Sequence, residues 1–523
     1  MRKMLIGVVA LFAATPSLAA ETWYKASSDH FVVYSEGKQS DAEQLAVNLE
    51  RLDRALRFIR GMPLASQELP DATKLRVYQF GRTEDIATLA GSIRSGVAGF
   101  FIPRAGRSVA FVPLREDRDR GYGARTSTNG IDPAKVLFHE YTHYFMFQHG
   151  AAAYPFWYQE GFAELFGTLD LIDGGFRLGE PPEHRASSLQ NLTLDIKKLI
   201  APPEERNMLT VMKQYSYGWL LVSYLTFEPK RKGQLIDYLR RINAGESNLE
   251  AAQNAFGDLN KLERDLSKYR DGRVRAIEVK LNDVDAPEAT VEKLSEDEAA
   301  QMMLHIHSVR GVTEDDAKRQ VPEIRKLVAI YPQSVPVLLE ATEVEFDAQN
   351  IDEAEKLADR VLAIDPDVTD AYLFKANIAL KRAEKDPAQL SAARKAFIAA
   401  NNLDPNNPRA LYGYYRTFIY ADETPPESAL VSLERSYDLA PFDSSIRSTL
   451  AWQLLNEKRE DEAVILLGPI INNPHAGEKI KELRELVEQM EDGNPSPIMA
   501  KLKPKLGKKK ENEDDDDDSN AQR

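Results

Sequence analysis

The feature that most limits the fold is a proline period in the C-terminal half. Pro332, Pro366, Pro405, Pro441 and Pro474 follow one another at intervals of 34, 39, 36 and 33 residues. Ala354, Ala393 and Ala429 each stand 12 residues before the next proline, and Ala463 stands 11 before. Their settings are alike: "DEAEK", "SAARK", "ESALV" and "DEAVI". A small residue recurring at one place lets two helices approach closely, and a proline after each pair ends it and starts the next. The longest interval accommodates "EKDPAQ", an enlarged loop. Beyond about residue 295 no strand pattern competes, so an all-α stack of helix pairs is expected.

This stretch, about residues 298–490, resembles tetratricopeptide repeats. The resemblance implies a concave surface that binds peptide or protein partners. Residues 276–297 read as a junction. Residues 491–523 read as a disordered tail, lysine-rich in "KLKPKLGKKK" and then acidic, because such blocks cannot bury a core.

The other half, residues 21–275, reads as mixed α and β. "HFVVYSE" (30–36) and "KLRVYQF" (74–80) have the β-branched and aromatic content of strands. Between them "DAEQLAVNLERLDRALRFIRG" reads as an amphipathic helix ending at Gly61. "VAGFFIPR" (97–104) and "RSVAFVP" (107–113) read as paired strands joined by a short turn.

Residues 1–20 carry a basic start (Arg2, Lys3), a short apolar run and small residues at Ser17, Ala19 and Ala20. That is the pattern of a cleaved secretory signal, and no other stretch is long and apolar enough to span a membrane. The chain has no cysteine, so neither disulfides nor a lipoprotein anchor are available. A bacterial periplasm fits best. The net charge is −15, and −17 without Arg2 and Lys3, which argues against a nucleic-acid partner.

"KVLFHEYTHYFMFQHG" (135–150) carries three of the eight histidines. Asp132 and Pro133 precede it as an N-cap and a first-turn proline. His139 and His143 are four apart on the helix, so their side chains share one face and can hold one ion. Glu140 is displaced around the axis, beside that ion rather than on it, as a general base. In "PFWYQEGFAELF" (155–166), Glu160 follows as the third ligand. Two imidazoles and one carboxylate suit zinc with a fourth position open to water. Glu164, one turn on, is placed to accept a hydrogen bond from the far nitrogen of His139 or His143. It could also be the ligand itself, but the "EG" pairing after "WY" favours Glu160.

"HEYTH" followed by "WYQEGFAELF" is similar to the gluzincin zinc metallopeptidases, and more closely to bacterial peptidase-MA-like proteins, over about residues 28–230. The resemblance implies a thermolysin-like α+β zinc peptidase domain ahead of the repeats. His139, His143 and Glu160 would be its Zn2+ ligands, Glu140 its base and Glu164 an outer carboxylate. "QYSYGWLLVSYL" (214–225) resembles the family's tyrosine-led helix, with Tyr215 as oxyanion donor and Tyr217 as runner-up. The strand "RSVAFVP" would be the edge that holds an extended peptide substrate.

The other histidines take ordinary readings. His149 ends its helix as a cation suited to the dipole. His30 begins a strand, His184 and His475 lie in loops, and His305 and His307 point to different helix faces. The expected activity is peptide hydrolysis through a zinc-activated water, with the repeats binding substrate or a partner protein. The alternatives are a repeat scaffold with a vestigial zinc domain and a zinc amidase acting on cell-wall peptides.

Overall fold

The computed structural model describes residues 22–64, 68–91, 99–115, 133–150, 153–203, 207–272, 274–281, 287–471 and 477–507. The signal-like segment, Asp132, Pro474 and His475 lie outside them. The first strands are β1 (Tyr24–Ser27) and β2 (Phe31–Ser35). Helix α1 (Gln39–Arg60) crosses from β2 to the parallel strand β3 (Leu75–Arg82). It ends at Gly61, whose φ of +66° places the left-handed residue where a helix C-terminus favours glycine. Helix α2 (Thr83–Leu89), β4 (Phe100–Ile102) and β5 (Val109–Arg115) follow. "VAGFFIPR" and "RSVAFVP" therefore pair as expected, antiparallel, over Phe100–Ile102.

Next come α3 (Pro133–Gln148), α4 (Phe156–Gly167), β6 (Asp170–Ile172) and β7 (Gly175–Leu178). Short helices α5 (Ala186–Asn191) and α6 (Ile196–Ile200) precede the long α7 (Met208–Phe227). Then follow α8 (Gln234–Asn243), α9 (Asn248–Phe256) and α10 (Leu259–Asp271), with β8 (Ile277–Lys280) and β9 (Thr290–Lys293) after them. The main sheet has the order β4-β5-β3-β2-β1-β9, and β6-β7-β8 form a smaller one. The segment read as a junction thus supplies one strand to each sheet.

Two consequences follow from strand alternation. Along β3, Leu75 and Val77 face α1 and α3, whereas Tyr78 and Phe80 face the opposite side. Along β5, Ala110 and Val112 share the first face, and Val109 and Phe111 the second. That second face is covered by α2 and by Met302, Ile306 and Val309 of α11 (Glu296–Arg310). The first helix of the all-helical region therefore completes the core of the α/β region.

The remaining helices are α12 (Glu314–Ile330), α13 (Val335–Asp347), α14 (Ile351–Ile364), α15 (Thr369–Ala383), α16 (Gln389–Leu403), α17 (Pro408–Tyr420), α18 (Glu427–Leu439), α19 (Ser444–Asn456), α20 (Glu460–Ile471), α21 (Gly477–Glu491) and α22 (Ser496–Leu502). They pack as successive pairs. Ala354, Ala393, Ala429 and Ala463 open the second helix of four pairs, and each is 0% exposed. The recurrent small residue sits where two helices touch, as the period required. Residues 384–388, within "EKDPAQ", join α15 to α16.

Two expectations need correction. "RSVAFVP" is not an edge: β5 lies between β4 and β3, and the edge is the three-residue β4. The tail is ordered through residue 507. Ile498 is 0% exposed, and Leu506 packs against the cluster built from α15 to α17, so sparse apolar residues outweigh the lysines around them.

The tightest contact near the centre is between α4 and α7. A Cβ on Gly161 would run into the Gly218 carbonyl and lie 2.8 Å from the Trp219 nitrogen. A Cβ on Gly218 would run into the Trp157 carbonyl oxygen. Both obstacles are backbone, which cannot swing aside. Gly161→Ala is therefore expected to destabilise the protein by about 1–3 kcal/mol or more. Urea denaturation checks this, and an unchanged midpoint would contradict the packing described.

Candidate metal centre

Helix α3 packs against the sheet through Leu137, Phe138, Tyr141 and Phe145. That leaves His139, Glu140 and His143 half-buried on its other side. Helix α4 antiparallels this surface, and all twelve of its residues are buried. Close approach is set by Gly167, where an added Cβ would lie 3.4 Å from the His139 Cβ. Glu160, next to the Gly161 contact, is 1% exposed.

These elements bring His139, His143 and Glu160 into one group able to hold a metal ion. The two Nε2 atoms are 3.2 Å apart. The Glu160 carboxylate oxygen lies 3.5 Å from His139 Nε2 and 3.6 Å from His143 Nε2. A tetrahedral ion with bonds of about 2.0–2.1 Å separates its ligand atoms by about 3.3–3.4 Å. The triangle is thus the size of one face of such a tetrahedron, and the residues present fit the ion that the motif implies.

Electrostatics point the same way. Burial opposes a charge on His139, but its hydrogen bond to Glu160 and the Glu164 and Glu140 carboxylates outweigh it, raising its pKa to about 9. The site attracts a cation, and a metal would take the place of that proton. Among the described residues, no hydrogen-bond donor engages the Glu140 carboxylate.

Glu164 does not make its expected bond to either ligand histidine. It lies on the same helix but accepts from the Arg185 guanidinium at 2.7 and 3.0 Å and from His184 Nε2 at 3.1 Å. Burial alone would raise its pKa, yet Arg185 and then His184 hold it at about 2. Arg185 also stacks over the Tyr215 ring, with its central carbon 4.6 Å from the centroid. The Tyr215 ring lies near-parallel to His139 at 6.3 Å and edge-on to Phe156 at 6.0 Å. Burial, followed by the Glu160 carboxylate, keeps the Tyr215 phenol protonated.

Tyr217, by contrast, is 0% exposed and donates to the Leu192 carbonyl oxygen, away from the ligands. Of the two tyrosines, only Tyr215 borders the metal group. His184 and Arg185 were missed in the sequence. They sit on a short turn, Glu183–Arg185, reached only after the β6–β7 hairpin, and no spacing rule links them to α4.

His149 was read as a cation at a helix end. Instead its ring packs on Phe145 at 4.5 Å, and partial burial followed by the Arg57 guanidinium lowers its pKa. His305, Glu340 and Glu343 form a second set close enough to share an ion. Those groups have other partners: His305 bonds Tyr78 at 3.0 Å and Glu340 at 2.9 Å, and Arg107 pairs with Glu343 at 2.5 Å. Arg107 is the resident cation there.

Compared with known proteins, the chain matches no family model and no curated sequence.

The Glu164–Arg185 pair yields a test. A carboxyl with a depressed folded pKa stabilises above its ordinary value of 4.5, and that contribution is lost as pH falls towards about 2. Arg185→Ala should cost about 2–4 kcal/mol at pH 7. The variant should also lose stability less steeply than the wild type between pH 4.5 and 2. Denaturation across that range checks both.

Proposed function

We propose that this chain is an exported, periplasmic zinc-dependent peptidase of the gluzincin type. The single observation that carries the reading is the ligand triangle of His139, His143 and Glu160, with Glu140 half-buried beside it on α3. Two neutral imidazoles and a carboxylate suit zinc, whereas calcium and magnesium favour shells of oxygen. A zinc ion held there would supply Lewis acidity, acidifying a water and polarising a carbonyl.

The chain's own residues do the rest. Glu140 takes the proton of the attacking water and returns it to the leaving nitrogen. Tyr215, kept protonated, donates to the developing oxyanion. Arg185 holds the Tyr215 ring, and the Glu164 carboxylate fixes Arg185 in turn. The edge strand β4 offers backbone groups to an extended peptide.

Glu140→Gln should retain about one zinc per chain while losing hydrolysis of a peptide library by about 10²–10⁴-fold. Tyr215→Phe should also keep the metal and lose about 10²–10³-fold in turnover. Metal analysis and a mass-spectrometric cleavage assay on the same preparations check both. A wild-type protein that binds zinc and cleaves nothing would favour the scaffold reading.

A further inference from the structure

The repeat array was expected to offer an open inner face to partners. One turn of the chain itself contacts the first helices of its pairs. The turn between β4 and β5, residues 103–108, reaches alternate helices of the array in succession. Arg104 donates to the carbonyl oxygens of Val309 and Arg310 at 2.7 and 3.1 Å, capping the C-terminus of α11. Arg107 pairs with Glu343 of α13 and lies over the Phe374 ring of α15, 5.8 Å from its centroid. The Ala105 N–H donates at 3.0 Å to Asp443, the residue that also caps α19. Gly106 lies against α17, where a Cβ would approach Arg409 Cδ to 2.9 Å.

Four residues, Arg104 to Arg107, thus touch the first helix of five consecutive pairs: α11, α13, α15, α17 and α19. The segment is a tight turn, closed by the Arg107 N–H bonding the Arg104 carbonyl oxygen at 3.1 Å, and it is covalently part of the α/β half. The fit is chemical as well as geometric. Glu343 is buried, and the Arg107 guanidinium holds its carboxyl below the usual range against the effect of burial. Gly106 has φ +69°, a left-handed conformation that lets the turn lie flat against Arg409.

We propose that the inner face of the array is a receptor for an arginine-bearing turn, that residues 104–108 are its resident ligand, and that a peptide of Arg-x-x-Arg type binds only by displacing them. The array then clamps the hairpin whose strand β4 edges the sheet beside α3, where Phe101 meets Tyr144 at 5.4 Å. This inference does not depend on metal or on hydrolysis.

Hydrogen exchange on the full chain tests it. Arg107→Ala and Gly106→Val should each speed exchange at amides 99–111 by at least tenfold. Arg382→Ala breaks ion pairs with Asp352 and Glu355 away from the turn and should leave those amides unchanged. A labelled peptide, FIPRAGRSV, should bind Arg107→Ala at least tenfold more tightly than wild type. If Arg107→Ala does not fold, Gly106→Val, which keeps the Arg107 side chain, carries both measurements. Unchanged exchange in the folded variants would overturn the proposal. So would peptide binding to wild type as tight as to the variant, or no binding to either form.

Discussion

Two carboxylates four residues apart, on a helix with no exposed residue, set the terms for the rest of the molecule. Glu160 and Glu164 sit in α4 at 1% and 3% exposure. An isolated buried carboxylate costs several kcal/mol, so each must meet positive charge or donors. Glu164 meets Arg185 and His184; Glu160 meets the two imidazoles of α3. The glycine contact with α7 and the close approach at Gly167 then fix how far α4 stands from each neighbour. The ligand triangle follows from how this chain accommodates one of the two buried acids of α4.

The same logic joins the two halves. The six-stranded sheet has two apolar faces, and the helices of its own half cover only part of them. Helix α11 closes the second face, and the β4–β5 turn brings two arginines to the repeat array. The boundary suggested by the sequence texture is therefore a change of secondary structure, not a gap between independent bodies. Phe442, between α18 and α19, even reaches Tyr144 of α3 at 5.0 Å.

What was legible in the sequence was periodic or local. The i, i+4 spacing of His139 and His143, the "EG" pair at Glu160 and the alanines of the repeats each state their geometry in a few adjacent letters. Strand order has no such signature. Alternation identified β4 and β5 but could not say which was the edge. The partners of Glu164 lie across a hairpin, so its outer-shell role was assigned to the wrong neighbours. His149 failed for a related reason: its helix-end position was visible, but the partial burial of its ring and, after it, the Arg57 guanidinium of α1 come from packing that no local spacing encodes. In the tail, composition concealed Ile498, one apolar residue that finds a buried place.

The central claim is that His139, His143 and Glu160 act together as the ligands of one ion. X-ray absorption at the zinc edge on the zinc-loaded full chain tests it most directly. The expected result is a single zinc with two imidazole nitrogens and oxygen donors at about 2.0–2.1 Å, lost when Glu160 is replaced by alanine. A protein that takes up no zinc, or whose zinc lacks imidazole ligands, would contradict the account.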